Sequence, residues 1–567
     1  MDSKIFGILL AAGTLFLPCL WLSAEIINQI QLQSSSHAQV SSLIQKLQDQ
    51  SIDADVRANA AGVLGIMGVK AKAAIPALIT ALKDESVDVR TIAAITLSNM
   101  GAEANVAIPA LIAILKDKDE DANVRIAAAD ILASIGNSAL PDLIFALNDE
   151  DASVRSSAAY ALGRMKTEVR VPVPDLVALL KDKDANVRFN ARAALENIKE
   201  EAKAAIPDLI ALLKDKDVDV RANAAVILGK LEEEAKVAIP DLIVLLKDSD
   251  ANVRSNAVVA LGNMKADTKV AIPDLIALLK DKDVDVRANA AVILGKLEEA
   301  KVAIPDLIVL LKDSDANVRS NAVVALGNMK ADTKVAIPNL ITSLKDKDAN
   351  VRYSAAVALK NIRVKALAAV PALITALKDK NATVRYGAAQ ALWSMGAQAK
   401  AAVPALIVAL KDKDERVRYQ AAFALEMMGK EALAAVPALS KALKDKDVYV
   451  RRQAASALEM MGVEALATIP TLIAALKDSD SVVRYYAARS LGNRGESLLN
   501  RAGAMSVEEL DKAISSLEQA IKALKDSKDN SLELSIASVN QSLNALKIQR
   551  LFCLLKQNTA LHKCRMN

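Results

Sequence analysis

The sequence predicts an all-α protein in which about fourteen short helix pairs stack one on the next as a solenoid. Proline recurs every 32 or 33 residues over most of the chain, and the dipeptide Val-Arg keeps nearly the same period, for example at Pro207 and Pro240 and at Arg221 and Arg254. A regular period of this length is typical of solenoids. The composition agrees, since 53% of the residues are hydrophobic and only 3% are aromatic, which indicates a helical core of small aliphatic side chains.

The first predicted element is an apolar segment, residues 5–22, which contains no charged residue and follows Lys4. Such a segment is either a secretion signal, with a small-residue cleavage site after Ala38, or a membrane anchor just long enough to span a bilayer. Lys4 favours a cytoplasmic N-terminus and an external solenoid in both cases. We therefore expect residues 1–38 to be a signal peptide or an anchor, and the protein to be extracytoplasmic, either periplasmic or secreted.

Residues 39–500 form the predicted solenoid, and residues 205–231 illustrate one repeat. Pro207 supplies the backbone angle favoured at the start of a helix, so the first helix of the pair, helix A, begins there. A polar run ends helix A, and Asp217 is placed to cap the second helix, helix B, by accepting hydrogen bonds from its first amides. One such pair buries too little apolar surface to offset its chain entropy, so each pair has to pack on its neighbours.

An aspartate stands six residues before the repeat arginine in most repeats, as in the pairs Asp215 and Arg221, Asp248 and Arg254, and Asp412 and Arg418. Together with the proline and the helix spacing, this pattern resembles the HEAT repeat, in particular its short phycobilisome-lyase-like variety. The resemblance implies a right-handed α-α superhelix in which these aspartates and arginines form a hydrogen-bonded ladder between successive repeats. The first repeat, with Ser51 in place of the aspartate, and the third, which has two additional residues, depart from the pattern.

One two-repeat block occurs twice, because residues 205–270 are repeated as residues 271–335 with one glutamate fewer. A catalytic pocket depends on particular residues at unique positions, whereas a modular scaffold simply becomes longer when a block is copied. The duplication therefore favours binding over catalysis.

The residue types that most catalytic sites need are scarce in this chain. The two histidines, His37 and His562, lie outside the predicted solenoid, so no Ser-His-Asp or Cys-His arrangement can form within it. Neither the His-Glu pairs that bind iron in HEAT proteins of the deoxyhypusine hydroxylase type nor a phosphate-binding Gly-rich loop occurs. Cys553 and Cys564 lack zinc-site spacing, and they could pair outside the cytoplasm or stay free. We expect no enzyme activity, no metal and no cofactor.

Charged residues are mixed along the chain, with lysine and aspartate alternating in the turns between the predicted helices. Such alternation is typical of a solvated surface and not of a phosphate-binding stripe, so nucleic acid is not an expected partner.

From residue 501 onward the period stops, and two further helices are predicted. Ser506 and Glu509 match a capping box. Apolar residues then recur at intervals of three and four over residues 510–524 and 532–546, which predicts an antiparallel coiled-coil-like hairpin that packs on the last repeat or projects from it. The hairpin is a candidate for oligomerisation, and the basic tail that follows it also fits an anionic membrane surface.

The positions directly after each Val-Arg are the candidate binding residues, because in the family that the chain resembles they lie on helix B and face the concave side. The first of these positions is tyrosine in four late repeats, with Trp393 and Phe423 nearby: Tyr353, Tyr386, Tyr419 and Tyr485. The second position is asparagine in several earlier repeats: Asn190, Asn223, Asn256, Asn289 and Asn321. Tyrosine and tryptophan are frequent anchors at interfaces, and an asparagine row suits the backbone of an extended ligand. Alternatively, these side chains only pack on the neighbouring repeat.

The leading functional hypothesis is a non-enzymatic scaffold, exported or membrane-tethered, that binds a protein or peptide on the concave face of the solenoid. Resemblance to the phycobilin lyase subunits implies an alternative, attachment or removal of a bilin chromophore. The predicted export segment argues against this alternative, because those lyases act in the cytoplasm. A third reading is an envelope scaffold that oligomerises through the C-terminal hairpin.

Overall fold

The computed structural model describes residues 37–117, 122–165, 170–329, 335–461, 468–526 and 532–566. These residues form α-helices joined by short 3-10 helices and turns, and no β-strand occurs among them. The apolar segment 5–22 lies outside the described residues, so its role stays a prediction.

Internal contacts divide the chain into two units, Met1–Asp241 and Leu242–Asn567. The division falls inside helix A of one repeat, Ile239–Leu245. It does not coincide with the boundaries predicted at residues 38 and 500, which stay predictions.

The described part of the first unit contains six complete helix pairs and a one-turn helix, Lys199–Ala202. Its A helices are His37–Gln48, Ile75–Ala81, Ile108–Lys116, Leu140–Ala146, Val173–Ala178 and Ile206–Leu212. Its B helices are Ala54–Met67, Val87–Met100, Ala122–Ile135, Ala152–Gly163, Ala185–Asn197 and Val218–Lys230.

The second unit continues the same alternation and then ends in two long helices. After Ile239–Leu245, its A helices are Ile272–Ala277, Ile304–Leu310, Ile337–Ser343, Val370–Ala376, Val403–Ala409, Val436–Ala442 and Ile469–Ala475. Its B helices are Ala251–Asn263, Val284–Leu294, Ala316–Asn328, Ala349–Ile362, Ala382–Met395, Glu415–Met428, Val448–Met460 and Ser481–Arg501. The last two helices are Val507–Asp526 and Glu533–Met566. The predicted all-α fold class is confirmed.

Local chemistry explains where the helices of a repeat begin and end. In the repeat formed by residues 205–231, Pro207 lies in the first turn of helix A, where its missing N–H breaks no hydrogen bond. Asp217 caps helix B, because its Oδ1 accepts hydrogen bonds from the backbone N–H groups of Asp219, at 2.8 Å, and Val220, at 3.4 Å. The repeat thus forms the two helices that its proline and aspartate predict.

The core between the helices consists mainly of leucine and alanine. In this same repeat, Leu209, Ala224 and Leu228 have no exposed surface. A fully buried leucine contributes about 1.5–3 kcal/mol, and alanine allows neighbouring helices to approach closely. Regular packing of this kind places the outward side chains of each helix at equivalent positions in successive repeats.

The two C-terminal helices extend the stack instead of projecting from it. Val507–Asp526 packs on the last helix A, Ile469–Ala475, and Glu533–Met566 packs on the last helix B, Ser481–Arg501. A Cβ on Gly495 would lie 2.8 Å from Cβ of Ser542, which shows how closely that helix B meets the C-terminal helix. The hairpin is antiparallel, since Lys547 pairs with Glu518 at 2.7 Å and Arg550 pairs with Asp511.

One described stretch, Ala382–Ala409, is long and apolar enough to cross a membrane by length and composition alone. In the structure it comprises helix B Ala382–Met395, a 3-10 connection, Gly396–Ala402, and the following helix A, Val403–Ala409. Several of its apolar residues, such as Leu392 and Leu406, are buried against neighbouring helices.

Candidate partner-binding site

An arginine–aspartate pair joins helix B to the next repeat at many of the described boundaries. Arg254 illustrates the geometry: its Nε and Nη2 donate to the two carboxylate oxygens of Asp281, at 2.8 and 2.7 Å, and its Nη1 donates to the carbonyl oxygen of Asp248, at 2.8 Å. The same bidentate pairing occurs in Arg57–Asp84, Arg155–Asp182, Arg287–Asp313, Arg319–Asp346, Arg352–Asp379, Arg385–Asp412, Arg418–Asp445 and Arg451–Asp478. Each pair fixes the first turn of helix B against the next repeat.

The environment of these aspartates keeps them ionised. Burial raises the pKa of Asp281, but hydrogen bonds from Arg254 and from the backbone N–H of Asp283 outweigh burial and hold that pKa below its ordinary value. The pKa of Asp445 is lowered in the same way. These carboxylates are committed to structure, which explains their abundance without a catalytic role.

The ladder takes a different form around Asp215. Here Lys181 Nζ lies 2.8 Å from the Asp215 carboxylate, and Arg188 donates from Nη2 to Asp219 in the first turn of the next helix B. Arg221 donates from Nη1 to the backbone oxygen of Asp215, at 2.8 Å. A lysine therefore takes the place predicted for an arginine at Asp215, and Arg188 pairs with Asp219 instead.

Within each unit, the B helices joined by these pairs present equivalent sides to a common surface. We call this surface the helix B face and define it by the residues one, two, five and eight positions after the repeat arginine. These offsets fall on one side of an α-helix, and side-chain contacts across the repeat boundaries connect them.

The predicted asparagines lie on the helix B face, half-buried, and three of them contact the preceding repeat. Asn190 Nδ2 donates to Ser156 Oγ at 2.7 Å, and Asn289 Nδ2 donates to Ser255 Oγ at 2.8 Å. Asn321 Nδ2 donates to a backbone oxygen, that of Ala288, at 3.4 Å. Asn223 and Asn256 occupy the equivalent position. The asparagines of these repeats thus contribute to packing between repeats, and ligand binding by them stays a prediction.

The predicted tyrosines also lie on the helix B face, where each ring is partly covered by its surroundings. A Cβ on Gly387 would lie 2.9 Å from Cδ2 of Tyr353, so the glycine leaves room for that ring. The hydroxyl of Tyr386 accepts a hydrogen bond from Gln390 Nε2 at 2.8 Å. Tyr485 is 39% exposed and meets Tyr486 edge to face, with ring centroids 5.5 Å apart.

Three aromatic side chains form a cluster that spans two successive B helices. Trp393 stacks on Phe423 with ring centroids 5.2 Å apart, and Tyr419 lies 6.2 Å from Phe423. The indole Nε1 of Trp393 is buried and has no hydrogen-bond partner among the described residues. We call these three residues the aromatic cluster.

The residue eight positions after the arginine faces the next helix B. At Gly327 the two helices touch directly, since a Cβ there would lie 2.6 Å from Cα of Ala358. Three consecutive later repeats carry large side chains there, and each contacts the residue five after the next arginine: Trp393 and Phe423, Glu426 and Ser456, and Glu459 and Arg489. Side chains thus meet across the repeat boundary at these three positions.

A polar network adjoins the aromatic cluster. Glu426 accepts hydrogen bonds from Ser456 Oγ, at 2.8 Å, and from Gln453 Nε2. Burial raises the pKa of Glu426 more than these two hydrogen bonds lower it, and the nearby Glu459 raises that pKa further. Burial, followed by the charge of Glu426, also raises the pKa of Tyr419. In the late repeats, aromatic rings therefore lie beside the carboxylate of Glu426, whose ionised form is destabilised by burial.

A family model of HEAT repeats matches the chain in ten overlapping segments: 40–121, 108–196, 173–243, 206–292, 239–316, 272–360, 304–392, 370–459, 403–492 and 436–529. This chain belongs to the HEAT-repeat family. The last match reaches into the helix Val507–Asp526, past the predicted end of the array at residue 500. That agrees with the stacking of the C-terminal hairpin on the last HEAT repeat.

Solved structures of HEAT-repeat transport receptors share the fold at low sequence identity. A complex of Kap95p with RanGDP has 15% identity and a TM-score of 0.62, covering 99% of this chain and 90% of Kap95p. Yeast importin-β (Kap95p) alone has 15% identity and a TM-score of 0.56, covering 97% and 88%. Kap121p bound to Ste12p has 15% identity and a TM-score of 0.52, covering 93% and 70%. The comparison with curated proteins gave no significant match.

Sequence reasoning identified the aromatic residues on the B helices of these HEAT repeats but missed the polar network of Glu426, Gln453 and Ser456. The signal that could have found it is the position eight after the arginine, where four consecutive repeats carry Lys360, Trp393, Glu426 and Glu459 instead of glycine.

Within the described part of the chain, neither a group of metal ligands nor a disulfide is found at this site. Among the described residues, no group of three or more His, Cys, Asp and Glu side chains is placed to hold a metal ion. Cys553 is half-buried, and the side chain of Cys564 lies outside the described part of the chain, so their pairing stays a prediction.

Proposed function

We propose that this HEAT-repeat protein is a non-enzymatic scaffold that binds a protein or peptide along the helix B face of residues 349–501. The observation that carries the proposal is the aromatic cluster, in which the partly exposed rings of Trp393, Phe423 and Tyr419 stack across two repeats. Large aromatic side chains supply much contact area with few rotatable bonds and are enriched among the residues that dominate binding energy.

One unsatisfied polar group in the aromatic cluster favours a protein backbone as the ligand. The buried Nε1 of Trp393 lacks an acceptor among the described residues, and a buried donor without an acceptor costs about 1–3 kcal/mol. Binding that uncovers the indole N–H and places a partner carbonyl oxygen against it would remove that cost.

Structural relatives support a protein partner. Kap121p has been solved bound to Ste12p and bound to Nup53p, with TM-scores of 0.52 in both comparisons. At 15% and 14% identity this likeness is one of fold, so we transfer only the general use of the array as a protein-binding surface.

Partner capture tests the proposal. Tyr353, Tyr386, Tyr419 and Tyr485 are replaced together by alanine, and proteins captured from the native extract by this variant and by the unchanged protein are compared by quantitative mass spectrometry. We expect the partner to be lost while helical content by circular dichroism is unchanged. Phe145→Ala is the control, because Phe145 is 72% exposed and lies in the first unit.

A photo-crosslinking residue at position 419 locates the contact. Crosslinks from position 419 to the captured protein, and none from position 145, support the helix B face as the binding site. Unchanged capture by the four-alanine variant, or equal crosslinking from both positions, would remove the proposal.

Two further proposals come from the sequence. We propose that residues 5–22 export the array or tether it to a membrane, which N-terminal sequencing of the mature protein tests.

We also propose oligomerisation through the C-terminal hairpin, whose exposed residues Ile548, Leu551 and Phe552 are 58–62% accessible. Deletion of residues 505–567 should then abolish oligomers in sedimentation. No contact among the described residues favours the bilin alternative, and absence of visible absorbance after co-expression with bilin would dismiss it.

A further inference from the structure

Lysines at the ends of the A helices have acidic partners in the duplicated segment. Lys247 Nζ lies 3.0 Å from a carboxylate oxygen of Asp274, and Lys280 Nζ lies 3.1 Å from one of Asp306. In each case the aspartate follows the proline of the next helix A, in the sequence Ile-Pro-Asp-Leu. The pairs join one A helix to the next at the surface.

Later repeats keep the lysine and lose the aspartate. The residue after the proline is Ala372, Ala405, Ala438 or Thr471, and the corresponding lysines are Lys345, Lys378, Lys411 and Lys444. All four lysines are exposed. The ion pairs found among the described residues do not include them. We call these four residues the lysine row.

Two cavities lie in the later repeats where the aspartates of the duplicated repeats would be. A cavity of about 470 Å³ is lined by Lys411, Ala438, Lys441, Lys444 and Lys446, beside Asp412 and Asp445. A second cavity, of about 310 Å³, lies one repeat further and is lined by Lys444, Thr471 and Lys477, among others. Asp412 and Asp445 are already bound by Arg385 and Arg418, so the lysines set the charge of the first cavity.

The lysine row lies in a basic part of the chain. Residues 336–501 contain 25 Lys and Arg against 15 Asp and Glu, a net charge of +10. Residues 37–335 contain 37 against 44, a net charge of −7. The repeats that lose the aspartates therefore favour an anionic partner by their overall charge as well.

We propose that the lysine row binds an extended acidic segment of a partner protein, whose carboxylates occupy the places that Asp274 and Asp306 fill in the duplicated repeats. Helix layers are about 8–10 Å apart, and an extended chain advances about 3.3 Å per residue. Acidic residues at every third position of the segment therefore match the lysines. This surface uses side chains different from those of the helix B face, and it stands or falls independently of the proposed function.

A designed peptide tests the proposal directly on the whole protein. The probe is a fluorescein-labelled peptide of four Asp-Gly-Ser units, and the comparison peptide has the same composition with its four aspartates adjacent. Fluorescence anisotropy should show tighter binding of the spaced peptide, weakened by salt. Lys411→Ala and Lys444→Ala should each lower affinity by up to about fivefold, as for exposed ion pairs.

Matched variants separate the lysine row from general charge effects. Ala438→Asp with Thr471→Asp should close both cavities with internal ion pairs like that of Lys247 and Asp274, and should weaken the peptide as much as removing the lysines does. Both changes introduce the residue found at this position in other repeats, so the fold is expected to persist, and thermal melting checks it. Lys247→Ala should leave binding unchanged, because Lys247 is already paired.

Several outcomes would overturn the proposal. Equal binding of the two peptides would show that net charge alone determines their affinity. Unchanged peptide binding by the lysine-to-alanine variants and by Ala438→Asp with Thr471→Asp would exclude the lysine row as the binding site. Binding to phosphatidylserine vesicles without binding to the peptide would assign the row to a membrane surface. Self-association that Ala438→Asp and Thr471→Asp abolish, without peptide binding, would assign it to a second copy of the chain.

Discussion

Arg418 donates from Nε and Nη2 to both carboxylate oxygens of Asp445 in the following repeat, at 2.7 and 2.8 Å, while its Nη1 donates to the backbone oxygen of Asp412 at 2.9 Å. One guanidinium therefore links the turn before its own helix B to the following repeat. Because Tyr419 directly follows Arg418, the Arg418–Asp445 pair also fixes the part of helix B from which Tyr419 reaches the aromatic cluster.

Removing one member of this pair should destabilise the array. Arg418→Ala leaves the Asp445 carboxylate, which is only 12% exposed, without its guanidinium, and we expect a loss of about 2–4 kcal/mol in the free energy of unfolding. Urea unfolding followed by circular dichroism measures it. The control is Lys72→Ala, since the Lys72–Glu103 pair is 64% and 43% exposed, which predicts a change under about 1 kcal/mol. Equal effects of the two variants would show that the ladder does not stabilise the stack.

A methyl group at a glycine of the helix B face should separate two repeats. In Gly327→Ala the new Cβ would lie 2.6 Å from Cα of Ala358, a backbone atom that cannot move aside alone. We expect about 1–3 kcal/mol of destabilisation in thermal unfolding, as for other overpacked cores. Gly503→Ala is the matched control, because no atom lies within 4 Å of its Cβ position, and a comparable loss there would contradict the steric explanation.

Arg363 has the backbone conformation that glycine has at the same point of other repeats. Its φ of 59° and ψ of −138° match the 58° and −144° of Gly396. A side chain costs roughly 1–3 kcal/mol in this region, so Arg363→Gly should raise the free energy of unfolding by about 1 kcal/mol. Arg363→Ala should give no such gain, because alanine has the same steric conflict. A gain with alanine would point to the charge of Arg363 instead of its backbone.

Acid should weaken the last repeats through Asp480. Hydrogen bonding to Arg452 is the largest cause that lowers the pKa of Asp480, to about 2. Because the folded-state pKa lies below the unfolded value of about 3.9, this carboxylate stabilises the fold above about pH 4, and its contribution is lost as the pH falls toward 2. In Arg452→Gln, carboxyl NMR should show the pKa of Asp480 moved up toward its ordinary value. Arg489→Gln, which removes a partner of Glu459, should leave it unchanged.

Local signals were sufficient to predict the fold. The proline at the start of helix A and the cap at Asp217 each act within a few residues, so the sequence reveals them directly. The 33-residue period then implies stacking without knowledge of any particular contact. The hairpin was harder to place, because the sequence shows its apolar stripes but not that they continue the two layers of A and B helices.

The site was predicted only in part, because its chemistry depends on which side chains meet across a repeat boundary. Tyr419 and Trp393 stand out by residue type alone. Gln453 and Ser456 become meaningful only when the stack brings them to Glu426. Likewise, only the structure shows that Lys181 pairs with Asp215 while Arg188 pairs with Asp219.

Duplication of a two-repeat block has a consequence for how this protein can change over generations. Arg254 closes the first copy against Asp281, and Arg319 closes the second against Asp346, with the same atoms and nearly the same distances. Unequal crossing-over between the copied gene segments would add or remove four helices and re-create a junction that already exists. The array can therefore gain or lose two repeats at a time without requiring a new contact between repeats.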